Sequence, residues 1–252
     1  AGNTSSVSQD SNYNSEKQVV TIGYLPITHS LTVLKEKELL EENNSDIQIK
    51  LQRFSSWTDL MDALNAGKID GASVLIELAM NAKANGIDLK AVALGHRDGN
   101  VVVASNDIES VDDLKGKTIY TTGKGTTPEY TLKYLLKKAG LDAEKDVNIE
   151  FKSEASEAAT MLASSDSGAV AMLPQPYVTT VMAANSDVRI ALDVTKEWEN
   201  LSTDGSTVVT GVIAVNADYY EKNKAAVAKF MEEYENSVDF VNSNVDTAAE
   251  YV

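Results

Sequence analysis

Loops rich in hydroxyls and glycine carry the chemistry that this sequence can do. The fullest is Tyr120-Thr-Thr-Gly-Lys-Gly-Thr-Thr-Pro-Glu-Tyr130. Thr126 and Glu129 have the spacing of a capping box, and Pro128 suits a first helical turn, where its missing N–H costs nothing. Leu132, Leu135, Leu136 and Ala139 then recur at helical spacing, and Gly140 supplies a stop. The spacing predicts a helix N-terminus at the carboxyl end of a short strand over 118–121. The N–H groups and dipole there favour an anion or a hydrogen-bond acceptor. Such a junction is either half of a ligand site or an ordinary strand-to-helix turn, and the stretch alone does not choose. It is not a dinucleotide fingerprint, because Pro128 stands where a third glycine is needed. Gly116-Lys117-Thr118 is not a P-loop either: it precedes a strand, and the first glycine of that motif would fall on Val111.

Other polar and aromatic side chains fall in segments that follow expected strands. They are Thr28, His29 and Ser30; Ser55, Ser56 and Trp57; Ser73; His96 and Arg97; Gly125, Thr126 and Thr127; and Gln175 with Tyr177 in Pro174-Gln-Pro-Tyr177. In open α/β sheets that edge is where ligands bind. Trp57 and Tyr177 either wall a ligand or belong to the core. Arg97 either pairs with a ligand anion or is an exposed turn arginine. Catalytic sets are poor. His29 and His96 have no nucleophile elbow beside them, and without cysteine there is no thiol nucleophile. Glu77 follows an expected strand and reads first as a helix first-turn carboxylate that complements the dipole. The sequence therefore predicts binding without catalysis, no cofactor and no structural metal.

Composition narrows the classes. The 252 residues are 43% hydrophobic, enough for one large domain or two small ones. Acidic residues number 38 against 22 basic, a formal net charge of -16 that argues against nucleic acid and against an anionic membrane surface as partners. No cysteine and two histidines remove zinc-finger, redox and disulfide readings. Residues 1–18, rich in Ser and Asn, read as a disordered leader or tether. The sequence shows no signal peptide and no transmembrane run, and the terminal helix-like stretch over 247–252 has no cap, which suggests that the natural chain continues.

The elements that must position these residues alternate. A strand over 19–24 leads to a helix near 31–42, capped by Thr28 or Ser30. Ile47, Ile49 and Leu51 mark a second strand. Ser55-Ser56 cap a helix with the stripe Trp57, Leu60, Met61, Leu64, ended by Gly67. A strand over 72–75, a helix over 76–84 and a strand over 89–94 follow. Gly95-His-Arg-Asp-Gly99 reads as a turn cluster. A strand over 101–104 opens a second alternating series: 118–121 and its helix, 147–151, a helix near 154–163, a strand over 169–173, a helix from Gln175 and a strand over 188–192. Residues 206–215 are the longest β-branched run in the second half, with Gly211 in the middle, and can cross between lobes. Val227, Phe230, Met231, Tyr234, Val238 and Val241 mark a last amphipathic helix. This is an α/β fold of two lobes with helices on the sheet faces. The expected division is 19–95 with 211–252 for the first lobe and 100–209 for the second, joined by a two-segment hinge around an interlobe cleft.

The order of motifs resembles a known family. The opening Val-Thr-Ile-Gly-Tyr-Leu-Pro is similar to the start of type II periplasmic binding proteins of the nitrate, sulfonate, taurine and pyrimidine-precursor group. So are Leu64-Asn-Ala-Gly-Lys-Ile-Asp-Gly71, Ser110-Val-Asp-Asp-Leu-Lys-Gly-Lys117 and Gly123-Lys-Gly-Thr-Thr-Pro128. Leu173-Pro-Gln-Pro-Tyr-Val178 is similar to a Leu-Pro-Glu-Pro-aromatic stretch of one branch, with Gln175 in place of the glutamate. The resemblance implies an extracytoplasmic solute-binding subunit of an ABC importer. Its partners would be a small organic anion or heterocycle and the transmembrane permease. The resemblance also implies a monomer, periplasmic or held at the cell surface by an N-terminal lipid. Enzymes of pyrimidine and porphyrin biosynthesis and effector domains of regulators share the fold, and they remain the alternatives.

Overall fold

A computed structural model describes residues 16–26, 30–97, 99–104, 107–164, 169–248 and 250. The chain divides into two units. Unit 1 runs to His96 and resumes at Gly211, and unit 2 is Arg97–Thr210.

In unit 1, β1 (Gln18–Tyr24), β2 (Ile47–Arg53), β3 (Gly71–Leu75), β4 (Leu89–Arg97) and β10 (Val209–Asn216) form a sheet in the order β2-β1-β3-β10-β4. β1 is parallel to β2 and β3, and β10 runs antiparallel to β3. Two helices, α1 (Leu31–Glu42) and α9 (Lys224–Ser243), share one hydrophobic cluster with the sheet: Val20, Ile22, Ile47, Ile49 and Ile213 meet Val33, Leu40, Ala226, Phe230 and Tyr234. Burying each of the large side chains contributes roughly 1.5–3 kcal/mol. Between the strands, α2 (Trp57–Asn65) and α3 (Ile76–Ala84) complete the alternation, while α8 (Ala217–Lys222) and α10 (Val245–Ala248) flank α9. Asp70 pins the start of β3. Its Oδ2 accepts the Thr21 N–H at 2.7 Å, its own N–H donates to the Thr21 carbonyl, and its carbonyl accepts from the Asn216 N–H.

In unit 2, β5 (Val101–Ala104), β6 (Thr118–Thr121), β7 (Asn148–Phe151), β8 (Ala169–Leu173) and β9 (Arg189–Asp193) form a sheet in the order β7-β6-β8-β5-β9. Helices α4 (Thr127–Lys138), α5 (Ala155–Ser164), α6 (Tyr177–Ala184) and α7 (Val194–Leu201) follow its strands. Alternate strand residues enter different clusters. Val102, Ile119, Val170 and Met172 pack with Leu132, Leu136 and Val194. Val103, Tyr120, Ala171 and Leu173 pack with Ala158, Leu162, Val178 and Val181. Both faces of the sheet are therefore covered, as the near-continuous apolar run of β8 requires. Tyr134 of α4 stacks on Trp198 of α7 with ring centroids 3.7 Å apart, and the indole N–H donates to the Ser206 hydroxyl.

Several expectations need correction. β1 begins at Gln18, inside the stretch read as a leader; residues 1–15 lie outside the described residues. β4 does not stop at Leu94: Gly95, His96 and Arg97 continue the strand and form no turn. The glycine is there for a close approach. A Cβ on Gly95 would meet the Gly211 backbone at 3.4 Å, and one on Gly211 would meet the His96 Cβ at 3.3 Å. The helix read from Gln175 starts at Tyr177. The sequence reading also missed α7 and α8, which Asp193 and Asn216 cap through their side chains.

Candidate functional site

Each sheet has one edge at which strands end and helices begin. In unit 1 the parallel strands β1, β2 and β3 end at Tyr24, Arg53 and Leu75, and Gly211 of β10 pairs with Leu75. Ser55, Ser56 and Trp57 stand on that edge after β2, and His96 stands on it beside Gly211. Ser56 caps α2 by accepting the Asp59 N–H at 3.1 Å. Trp57 opens α2 half-buried. Ser30 is buried and does not cap α1. Its hydroxyl donates to the Leu25 carbonyl at 2.7 Å, because its backbone is already helical and turns the side chain away from the first-turn N–H groups. Ser73 lies in the middle of β3 and is buried. Thr28 and His29, the other residues expected here, lie outside the described residues.

The unit 2 edge gathers more of the expected residues. β6, β7 and β8 are parallel and end at Thr121, Phe151 and Leu173. β5 runs against both β8 and β9, with Val101 opposite Leu173 and Asp193. The segment from Arg97 into β5 therefore arrives at the edge from which α4, α5, α6 and α7 depart.

The α4 start differs from the expected capping box. The Thr126 hydroxyl does not receive an N–H from the first turn; it donates to the Gly123 carbonyl at 2.7 Å. Glu129 Oε2 takes the Gly125 N–H at 2.6 Å, one residue earlier than a box would require. Positive φ at Gly123 (75°) and Gly125 (79°) bends the loop so that the Gly125 N–H, not that of Thr126, reaches the carboxylate. Glu129 also pairs with Lys133 at 2.8 Å, and its side chain is only 12% exposed. The Lys133 ammonium and the Gly125 N–H hold its carboxyl below the usual range.

Gln175 is exposed, and its Oε1 accepts both the N–H and the hydroxyl of Thr179, at 3.3 and 2.8 Å. Tyr177 is half-buried and packs on the cluster of Val103 and Leu173. Arg97 faces Glu199 of α7 at 3.3 Å, with side chains 57% and 42% exposed. The same Glu199 Oε1 accepts the Thr207 hydroxyl at 2.7 Å. Sequence reasoning missed this carboxylate together with the helix that carries it. The signal was Asp193, placed ahead of Trp198 and Leu201 as a cap. Lys152, just past β7, was also missed; it pairs with Glu150 at 3.2 Å. Among the described residues no group of His, Asp and Glu is arranged to hold a metal ion, and no helix is long and apolar enough to cross a membrane.

Comparison with known proteins places this architecture. The NMT1-like family profile matches residues 13–252. This chain belongs to the NMT1-like family. It is 28% identical over 144 residues to a Bacillus subtilis protein named as the binding protein YtlA. It is 30% identical over 131 residues to an Escherichia coli protein named as an aliphatic sulfonates-binding protein. These matches take in 53% and 50% of this chain but 42% and 41% of those relatives' own lengths. The fold matches the crystal structure of the periplasmic aliphatic sulphonate binding protein SsuA from Escherichia coli, with a TM-score of 0.69, 21% identity and coverage of 93% of this chain and 77% of that one. It also matches the ligand binding component of an ABC-type import system from Staphylococcus aureus, solved with zinc bound, with a TM-score of 0.59, 26% identity and coverage of 93% and 78%. This NMT1-like chain thus has the type II periplasmic binding protein fold, as its motifs imply, and its curated relatives are named as binding proteins.

Proposed function

We propose that this NMT1-like chain is the extracytoplasmic solute-binding subunit of an ABC importer. It captures a small organic anion or a heterocycle, sulfonate-like, nitrate-like or pyrimidine-precursor-like, and delivers it to a transmembrane permease. The observation that carries the reading is the pair of sheet edges, each with helix starts, hydroxyls and one half-buried aromatic side chain: Ser55, Ser56, Trp57 and His96 in unit 1, and Gly125, Thr126, Thr127, Gln175 and Tyr177 in unit 2. The family and its named relatives support it. The reading assigns the chain no reaction of its own. It takes unit 1 as one lobe, unit 2 as the other, and the residues ahead of β1 as a tether to an N-terminal lipid on a monomeric protein.

The deciding experiment is mass spectrometry of small molecules released from the purified, denatured protein, followed by calorimetric titration of the identified solute. One solute bound per chain supports the reading. Turnover of that solute by the protein alone would replace it with the enzyme alternative.

A further inference from the structure

We propose that Met80 is a surface oxidation site, converted reversibly to the sulfoxide without loss of the fold. The inference goes beyond the solute-binding reading and does not depend on it. The chain has six methionines and no cysteine, so every sulfur in it is a thioether. Two-electron oxidants such as hydroperoxides attack that sulfur, and exposure decides which one reacts. The structure separates the six. Met80 is 65% exposed and Met182 37% exposed, while Met61, Met161 and Met231 are partly buried and Met172 is fully buried.

Met80 is open because α3 does not need it for packing. The helix buries Ala79 and Ala82. Met80 stands about 100° round the helix from Ala79 and shares the exposed side with Asn81, Lys83 and Ala84. The other sulfurs have packing roles. Met161 packs on the cluster of Val103 and Leu173, Met231 packs on that of Ile22 and Phe230, and Met172 belongs to the cluster of Leu132 and Val194. A sulfoxide in those clusters would bring in an oxygen that needs a hydrogen-bond partner; at Met80 water supplies one. In the reaction the Met80 sulfur gives a lone pair to one peroxide oxygen and the O–O bond breaks. That oxygen stays on sulfur as the S–O bond, and the other takes up the released proton and leaves as water. Sulfur loses two electrons and the peroxide gains them. A methionine sulfoxide reductase reverses the change with two thiols, which end as a disulfide and water.

The test treats the intact folded chain with limiting hydrogen peroxide and locates the added oxygen by peptide mass spectrometry. Met80 should react first, Met182 more slowly, and Met172 at least about tenfold more slowly than Met80. In urea that order should vanish, because all six sulfurs are then open to solvent. The chain with one oxygen on Met80 should melt within about 2 °C of the untreated chain, as a surface change does. A sulfoxide reductase should restore its original mass. Met80→Leu should remove the fastest oxygen uptake and leave Met182 as the first site. Oxidation of any other methionine ahead of Met80 in the folded chain overturns the proposal. So does an undiminished fastest phase in Met80→Leu, or a sulfoxide that the reductase leaves in place. A large fall in melting temperature with Met80 alone oxidised also overturns it, because that would reveal a packing role for this sulfur.

Discussion

The Tyr234 hydroxyl on α9 meets the Thr32 hydroxyl on α1 at 2.5 Å, inside the seam where these helices pack. One turn further along α1, Glu36 is buried with both carboxylate oxygens unpartnered. Burial and the nearby Glu233 push its carboxyl well above the usual 4.5. Lys35 does not neutralise it: that ammonium is 3.2 Å from Glu38 and 4.0 Å from the centre of the Phe240 ring. Tyr234, raised to about 12 chiefly by burial, stays neutral throughout the ordinary range.

Glu36 therefore makes stability depend on pH in a defined direction. The folded chain keeps a proton that the unfolded chain releases above pH 4.5. Stability from this group is present below 4.5 and is lost as pH rises toward the folded value, at about 1.4 kcal/mol per pH unit within that window. Glu36→Gln removes the titration. Urea unfolding from pH 4 to 9 should show the variant matching wild type at the acid end and exceeding it as pH rises. Parallel profiles across the whole range would show that Glu36 does not hold the extra proton.

The loop before α4 makes a second, sharper contrast. Gly123 and Gly125 both have positive φ, so a side chain strains the backbone at either position. Only at Gly123 is the space also taken: a Cβ there would lie 2.7 Å from Pro128 Cγ and from Thr126 Oγ1, whereas nothing lies within 4 Å at Gly125. Gly125→Ala should cost about 1 kcal/mol, the backbone term alone. Gly123→Ala should cost about 2–4 kcal/mol, since Pro128 is fixed in the helix and cannot yield. Thermal melts of the two variants decide it, and equal losses would mean that the loop shifts freely.

Much of this fold was legible because local signals agreed with the tertiary outcome. The helix over 31–42, the helix over 76–84 and the strands over 101–104, 118–121 and 169–173 were read with the bounds the structure shows. Their apolar spacing and breakers pointed the same way. β4 was cut short because Gly95 looks like a turn residue in sequence, and the Gly211 backbone that requires it is more than a hundred residues away. α7 was missed because Val-Thr-Lys-Glu-Trp-Glu-Asn-Leu is mostly polar, and its burial depends on Trp198 stacking on Tyr134 of α4. At the candidate site, residue types could be read but hydrogen-bond partners could not. Thr126 and Glu129 have box spacing, yet the bend at Gly123 and Gly125 redirects both side chains. Such redirection depends on backbone dihedrals that residue types alone leave open.

Arg97 is held by a carboxylate of its own unit, and that pairing makes a testable claim about solute binding. Its guanidinium lies 3.3 Å from Glu199 Oε1, and the Thr207 hydroxyl donates to the same oxygen at 2.7 Å. Thr207 and Arg97 therefore share one carboxylate, which ties the chain entering unit 2 to the chain about to leave it. For a solute anion to use Arg97, it would have to take the guanidinium from Glu199. That exchange swaps one carboxylate for another anion and leaves Glu199 with a hydroxyl alone, so it offers little net gain. Arg97→Ala should then change solute affinity by less than about twofold. It should lower stability by no more than about 1 kcal/mol, the usual worth of an exposed ion pair. Thr207→Val should show a loss of similar size, because the buried part of the side chain is kept and one hydrogen bond is removed. Calorimetric titration of the identified solute into Arg97→Ala is the measurement. A loss of tenfold or more, with the melting temperature unchanged, would mean that the guanidinium leaves Glu199 for the solute and that Arg97 is a direct binding residue.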